Sequence, residues 1–158
     1  VAAFMPLTCE RSIVKLDAKK TRTRLDRWRS IAKSAAMQSG QPRIPEVLEP
    51  RSTKEAASEL AEATAVLICW EEAPQTASLA HAIERGLSEC SCPRSDARIA
   101  VVVGPEGGLT EREVAFLLDA NPRASLVSLG SSILRTETAG VVAPALTLYE
   151  LGKLGGTR

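Results

Sequence analysis

The apolar positions of this chain follow two periods. Ala65 to Trp70 and Ile99 to Val103 are short apolar runs that read as strands covered on both faces, and Ser125 to Leu129 reads as a third. Elsewhere apolar residues recur at helical spacing. Leu25, Trp28, Ile31 or Ala32, Ala35 and Ala36 predict a helix from about Thr21, with Gly40 as its stop. Ser52-Thr53-Lys54-Glu55 is a capping box opening a helix to about Glu62, and Thr110-Glu111-Arg112-Glu113 is another. A further helix follows Pro74 and runs to about Leu87, with Glu89 to Ala97 as a loop after it. The last helix runs from about Glu137 to Gly152, with Thr136 or Thr138 as its cap and a kink expected at Pro144. Val1 to Leu7 predicts one strand and Thr8 to Lys20 an irregular polar stretch. Pro42, Pro45 and Pro50 predict an extended loop carrying Ile44, Val47 and Leu48, and Gly155 to Arg158 a frayed tail. Strands alternating with helices imply an α/β fold with a parallel sheet.

Two of these strands run into polar loops that each open a helix. Loops at the carboxyl ends of parallel strands are where open α/β sheets bind ligands, so the pair suggests one shared site. The first is Gly104-Pro105-Glu106-Gly107-Gly108. It lacks the Gly-Lys-Ser/Thr end of a triphosphate loop and the glycine order of a dinucleotide loop. A carboxylate at its centre would repel phosphate. Its glycines let backbone approach a ligand closely, and Glu106 suits a cation or a hydroxyl. A ligand bearing a sulfonium and an amino group fits better than ATP. The second loop ends in Arg135 and Glu137, a fixed donor and an acceptor that by themselves read as a helix-start ion pair.

Composition narrows the class. A length of 158 residues makes one domain the simplest organisation, and 44% hydrophobic with 25% charged residues is ordinary for a globular protein. No apolar run reaches the roughly 18 residues of a membrane helix and no secretory signal is visible, so the expected location is cytoplasmic, away from membranes. Cys90 and Cys92 form one close pair with no second pair or adjacent histidine, and Cys9 and Cys69 stand apart; no metal site is expected. The lone histidine, His81, reads as a partly exposed helix residue. Net charge is +1, but Arg11 to Lys33 carries nine positive residues, Lys15 and Lys19 among them, against Asp17 and Asp26. From Glu46 to Glu72 seven glutamates face Arg51 and Lys54. A basic end suits nucleic-acid phosphates, and a solvated helix face explains it equally well.

Gly104-Pro105-Glu106-Gly107-Gly108-Leu109-Thr110 through Glu113, followed by Leu129-Gly130-Ser131-Ser132-Ile133-Leu134-Arg135-Thr136-Glu137-Thr138-Ala139, resembles the ribosomal RNA uridine-N3 methyltransferase family of the knotted SPOUT superfamily. Glu10-Arg11-Ser12, Arg27-Trp28, Gln38-Ser39 and Arg43-Ile44-Pro45 stand in the order the resemblance expects, while Met37 and Gln41 replace its glutamate and arginine. The resemblance implies a parallel sheet with helices on both faces and a carboxyl-terminal trefoil knot, against the general rule that chains do not thread loops. It implies S-adenosylmethionine held by Gly104, Pro105, Glu106 and Gly107 on one side and Leu129, Gly130, Ile133 and Leu134 on the other. Arg135, Glu137 and Glu106 would be catalytic, Arg11, Arg22, Arg27 and Gln38 would contact RNA, and 16S ribosomal RNA or the small subunit would be the partner. A homodimer through the last helix is expected. Against the family pattern the chain reads as a methyltransferase-domain fragment without its first strand and helix and without a preceding β-barrel RNA-binding domain. The competing readings are a ribose 2′-O-methyltransferase acting on ribosomal or transfer RNA and a non-catalytic RNA-binding or dimerisation module of the same fold.

Overall fold

A computed structural model describes residues 1–13 and 18–155. Lys15 and Asp17 of the basic stretch, the side chain of Lys19 and the tail residues 156–158 lie outside what is described.

The core is a parallel sheet of three strands with β5 (Ala65–Cys69) at its centre, β6 (Ile99–Val103) on one side and β7 (Ala124–Val127) on the other. Ala65 pairs with Ile99 and Cys69 with Val103; on the other edge Val66 pairs with Ala124 and Cys69 with Val127. The centre strand is apolar without interruption because both faces are covered. Val66 and Ile68 pack with Leu60, Val114 and Leu117, from α2 (Thr53–Leu60) and α4 (Glu111–Asp119). Ala65 and Leu67 pack with Leu79, Ala82, Ile83 and Leu87 of α3 (Leu79–Glu89). Residues 65 to 68 are fully buried. Each large aliphatic side chain hidden this way contributes about 1.5–3 kcal/mol. The last helix, α5 (Thr136–Glu150), lies against α3 and β6 and turns Ala139, Ala143 and Thr147 inward.

The amino-terminal part adds two small parallel ladders. β1 (Ala3–Phe4) pairs with β3 (Glu46–Val47), and β2 (Leu7–Thr8) with β4 (Arg51–Ser52). This corrects two expectations. The first strand is broken rather than single, because Pro6 falls between its halves and has no N–H for a ladder. The proline-rich stretch is not merely a loop: Pro45 and Pro50 leave room for two short strands, whose N–H groups on Glu46, Leu48 and Arg51 bond to the carbonyls of Ala2, Phe4 and Pro6. In sequence, α1 (Ala18–Gln38) separates the two strands of each ladder, and it packs Leu25, Trp28 and Ala32 onto Val47 of β3. It ends in a Schellman motif: Gly40, at φ +65°, donates to Met37 while Gln41 donates to Ala36.

The expected capping boxes form. Ser52 caps α2 with Glu55 reaching back to the Ser52 N–H at 2.8 Å, and these Ser52 bonds hold the Glu55 carboxyl below the usual range. Thr110 and Glu113 do the same for α4. The strand expected at Ser125 to Leu129 is shifted toward the amino terminus. The Asn121 carbonyl turns the chain into Ala124, and the Ser128 N–H leaves the ladder for the Ala77 carbonyl at 2.9 Å. α5 is not capped by Thr136 or Thr138: its N-cap is Arg135, without a side-chain bond. The helix continues through Pro144 as one element, and the acceptor that Pro144 leaves free belongs to exposed Gly140.

Candidate functional site

Because the three core strands are parallel, Cys69, Val103 and Val127 end at one edge of the sheet, and three loops gather there. Their meeting forms a cleft of about 160 Å³. Residues 103–105 and Gly108 make one wall and residues 127–134 with Thr136 and Ala139 the other, while Cys69, Trp70, Glu71, Ala73 and Gln75 form the floor and far side. The two motif loops are joined where the Thr136 hydroxyl donates to the Gly104 carbonyl at 3.2 Å. That long-range bond explains why Thr136 does not cap its own helix. The Gly104–Thr110 loop is tightened by a turn in which the Gly108 N–H meets the Pro105 carbonyl at 2.9 Å. Gly108 requires its residue type because its φ is +71°, a backbone conformation that side chains rarely adopt.

Of the expected cofactor residues, Gly104, Pro105, Leu129, Gly130, Ile133 and Leu134 do line the cleft. Glu106 and Gly107 do not; both are exposed on the outer side of their loop. A Cβ on Gly107 would lie 3.0 Å from the Cβ of Arg11, and the Arg11 guanidinium donates to the Gly107 carbonyl at 3.1 Å. Arg135 and Glu137 stand exposed at the start of α5, beside the cleft rather than on its wall. Arg11 is thus the one RNA-contact candidate brought to the site, still exposed. Arg22, Arg27 and Gln38 are exposed on α1, whose packing is on β3. His81 is an exposed residue of α3 with its N–H on the cap Ser78.

Sequence reasoning missed Trp70, Glu71, Gln75 and Ser128. The signal was present: Ala65 to Cys69 is an apolar run like Ile99 to Val103, and the same rule about strand ends points to the residues after it.

The wall mixes apolar side chains with polar groups, among them serines 128, 131 and 132, Thr136 and Gln75. Its single formally charged side chain among the described residues is Glu71; no lysine or arginine faces in. Cys69 is a neutral thiol, since burial pushes it up to about 11. Cys9, behind the Gly104–Thr110 loop, is likewise pushed up to about 11 by burial and then by the neighbouring Glu113. Neither is a nucleophile at neutral pH. Among the described residues no cluster of histidine, cysteine or carboxylates could hold a metal, and no helix is long and apolar enough to cross a membrane. The indole N–H of Trp70 is buried without a hydrogen-bond partner among the described residues.

These features define an α/β domain with a cleft at the carboxyl ends of its parallel strands. Residues 1–148 match the family model of the RNA methyltransferase domain, and the chain belongs to that family. It is similar to the ribosomal RNA small subunit methyltransferase E of Bacillus subtilis, with 35% identity over 154 residues covering 98% of this chain and 58% of the relative. The Mycobacterium bovis protein of the same name is 35% identical over 145 residues, covering 89% and 50%. The fold also matches the Neisseria gonorrhoeae ribosomal RNA small subunit methyltransferase E, solved bound to S-adenosyl methionine. There the TM-score is 0.72 and the identity 31%, covering 94% of this chain and 55% of that one. A Legionella pneumophila protein solved with bound cofactor SAM matches with a TM-score of 0.76 and 27% identity, covering 94% and 55%. The chain therefore spans between half and three fifths of the length of these relatives.

Proposed function

We propose that this chain forms the methyl-transferring part of a ribosomal RNA methyltransferase, using S-adenosylmethionine to methylate N3 of a uridine in 16S ribosomal RNA. The observation that carries the reading is the cleft itself. Two glycine-bearing loops, from the strands on either side of β5, face each other around a slot with a negative and no positive side chain among the described residues. A sulfonium compound with an adenine ring suits such a wall, and a nucleotide phosphate does not. The S-adenosylmethionine bound in the similar gonococcal structure supports the same ligand here. Backbone around Leu129, Gly130, Ile133 and Leu134 would hold the adenine against Gly104 and Pro105.

When bound, that cofactor supplies an electrophilic methyl group. The remaining work falls to the chain. Uridine N3 carries a proton and attacks only once it is lost, so the site must accept that proton and stabilise the negative charge spread to the uracil carbonyls. Arg135, exposed at the mouth between the cleft and solvent, is suited to the charge. Glu137, exposed in the first turn of α5, and Glu106, exposed on the Gly104–Thr110 loop, are the candidate proton acceptors or substrate positioners. Their position outside the wall agrees with groups that serve RNA rather than cofactor. Arg11, on the Gly107 carbonyl, and Arg22, Arg27 and Gln38 on α1 extend the RNA-facing surface.

Two further parts of the reading concern architecture. β7 lies at one edge of the sheet while α5 packs on β6 at the other, so residues 128–135 cross the strand ends between them. A trefoil knot, with α5 threaded through the Gly104–Thr110 side, is our reading of that crossing. Ile133 is 84% and Val141 70% exposed, with Leu146 and Tyr149 also exposed on α5. Such an apolar strip supports a homodimer that covers it and closes the open side of the cleft. The whole enzyme would act with a β-barrel RNA-binding domain like that of the family.

The test is transfer of a labelled methyl group from S-adenosylmethionine to 16S ribosomal RNA or to small subunits lacking the modification, followed by nuclease digestion. Label in 3-methyluridine supports the proposal. Label on a ribose 2′ oxygen would replace it with the related ribose methyltransferase reading.

A further inference from the structure

Glu71 is not explained by the fold. It follows β5 by two residues, is exposed, and has neither a hydrogen bond nor an ion pair among the described residues. Its carboxylate lies against Gly108 of the facing loop, which is buried at φ +71°. It is the one charged side chain on a cleft wall that, among the described residues, holds no lysine or arginine.

We propose that Glu71 is the specificity-determining counter-charge for the cationic end of the cofactor. The inference rests on the proposed function above. S-adenosylmethionine carries a sulfonium and an ammonium against one carboxylate, so its net charge is positive; an acidic group on a wall without lysine or arginine favours it electrostatically. The chemistry read is that of a cation on the amino-acid side of the ligand, with the adenine side left to backbone and the aliphatic side chains of the wall. Glu106, the acidic residue that the motif suggests, points outside this cleft, and Glu71 takes the place assigned to it.

The experiment is calorimetric titration of the protein and of Glu71→Gln, Glu71→Asp and Glu72→Gln with three ligands. These are S-adenosylmethionine, S-adenosylhomocysteine, which keeps the ammonium and loses the sulfonium, and 5′-methylthioadenosine, which has neither. Glu71→Gln should weaken S-adenosylmethionine about tenfold, the size of one charge-assisted hydrogen bond. Glu71→Asp, which retains the charge, should lose less. Methylthioadenosine affinity should stay within about twofold in every variant, as should all three ligands in Glu72→Gln, whose side chain is off the cleft wall. An equal loss for S-adenosylhomocysteine assigns the contact to the ammonium, and no loss assigns it to the sulfonium; either supports the proposal. Unchanged S-adenosylmethionine binding in Glu71→Gln overturns it while leaving the cofactor reading intact. An equal loss for methylthioadenosine also overturns it, since the carboxylate would then only shape the loop. Failure of the unaltered folded protein to bind any of the three overturns both readings.

Discussion

Glu113 makes two connections with one carboxylate, and replacing it tests how the loop behind the cleft is held. The side chain is 2% exposed. One oxygen accepts the N–H of Glu10 at 2.9 Å; the other accepts the N–H of Thr110 at 3.0 Å and its hydroxyl at 3.1 Å. It therefore caps α4 and also fastens the Cys9–Ser12 turn to the Gly104–Thr110 loop, across 103 residues of sequence. A carboxylate can serve all three donors because it is acceptor-only; a carboxamide has one acceptor oxygen. In Glu113→Gln, whichever way the amide is turned, one backbone N–H faces an NH₂ group. An orphaned buried donor costs about 1–3 kcal/mol, so this nearly isosteric change should destabilise by about 2 kcal/mol. Glu113→Ala orphans both N–H groups and removes a cap bond worth about 1 kcal/mol, for a loss of about 3–5 kcal/mol. At about 2–4 °C per kcal/mol for a chain of this size, its Tm should fall by about 6–20 °C. Urea unfolding followed by far-ultraviolet circular dichroism reads the difference. Glu113→Gln within about 0.5 kcal/mol of the unaltered protein, at unchanged m-value, would refute the argument.

Other consequences follow from single features. Gly86 of α3 lies so near β5 that a Cβ would sit 2.5 Å from the Thr64 carbonyl oxygen; Gly86→Ala should cost about 1–3 kcal/mol by overpacking, read by the same unfolding assay. Cys69 is raised from 9.0 to about 11 in the folded chain, so between those values the unfolded thiol ionises and the folded one does not. Stability should therefore fall as pH rises from about 9 to about 11, and Cys69→Ala should flatten that part of the Tm profile. Arg135→Ala should reduce methyl transfer about 10²–10³-fold, as loss of a charge-stabilising donor does, while cofactor affinity stays within about twofold. Full turnover in that variant would remove Arg135 from the mechanism.

What was legible in the sequence is what local pattern dictates. The runs Ala65 to Cys69 and Ile99 to Val103 gave themselves away because burial on both faces demands unbroken apolar residues. The boxes at Ser52–Glu55 and Thr110–Glu113 were readable because both partners lie within one helical turn. What was hidden depends on partners far along the chain. Nothing local tells Thr136 to bond Gly104 instead of capping α5, or Glu113 to hold Glu10 as well as Thr110. The two-residue strands around Pro45 and Pro50 exist only because residues 2–8 run beside them. At the site, the paired motifs located Gly104, Pro105, Leu129, Gly130, Ile133 and Leu134 on the cleft wall. Motif position alone could not tell which side of a loop a residue takes, and so Glu106 and Gly107 lie outside while Glu71, beyond either motif, lies within.

Binding of S-adenosylmethionine in this cleft is the property on which the proposed function depends. Titration of the protein with S-adenosylmethionine and S-adenosylhomocysteine, with NAD as control, should give saturable binding of the first two and none of the third. Leu134→Arg, which puts a bulky cation on the wall, should abolish that binding while leaving the circular dichroism spectrum unchanged. A folded protein that binds neither compound, or a Leu134→Arg variant that binds both as before, would contradict the assignment of the cleft.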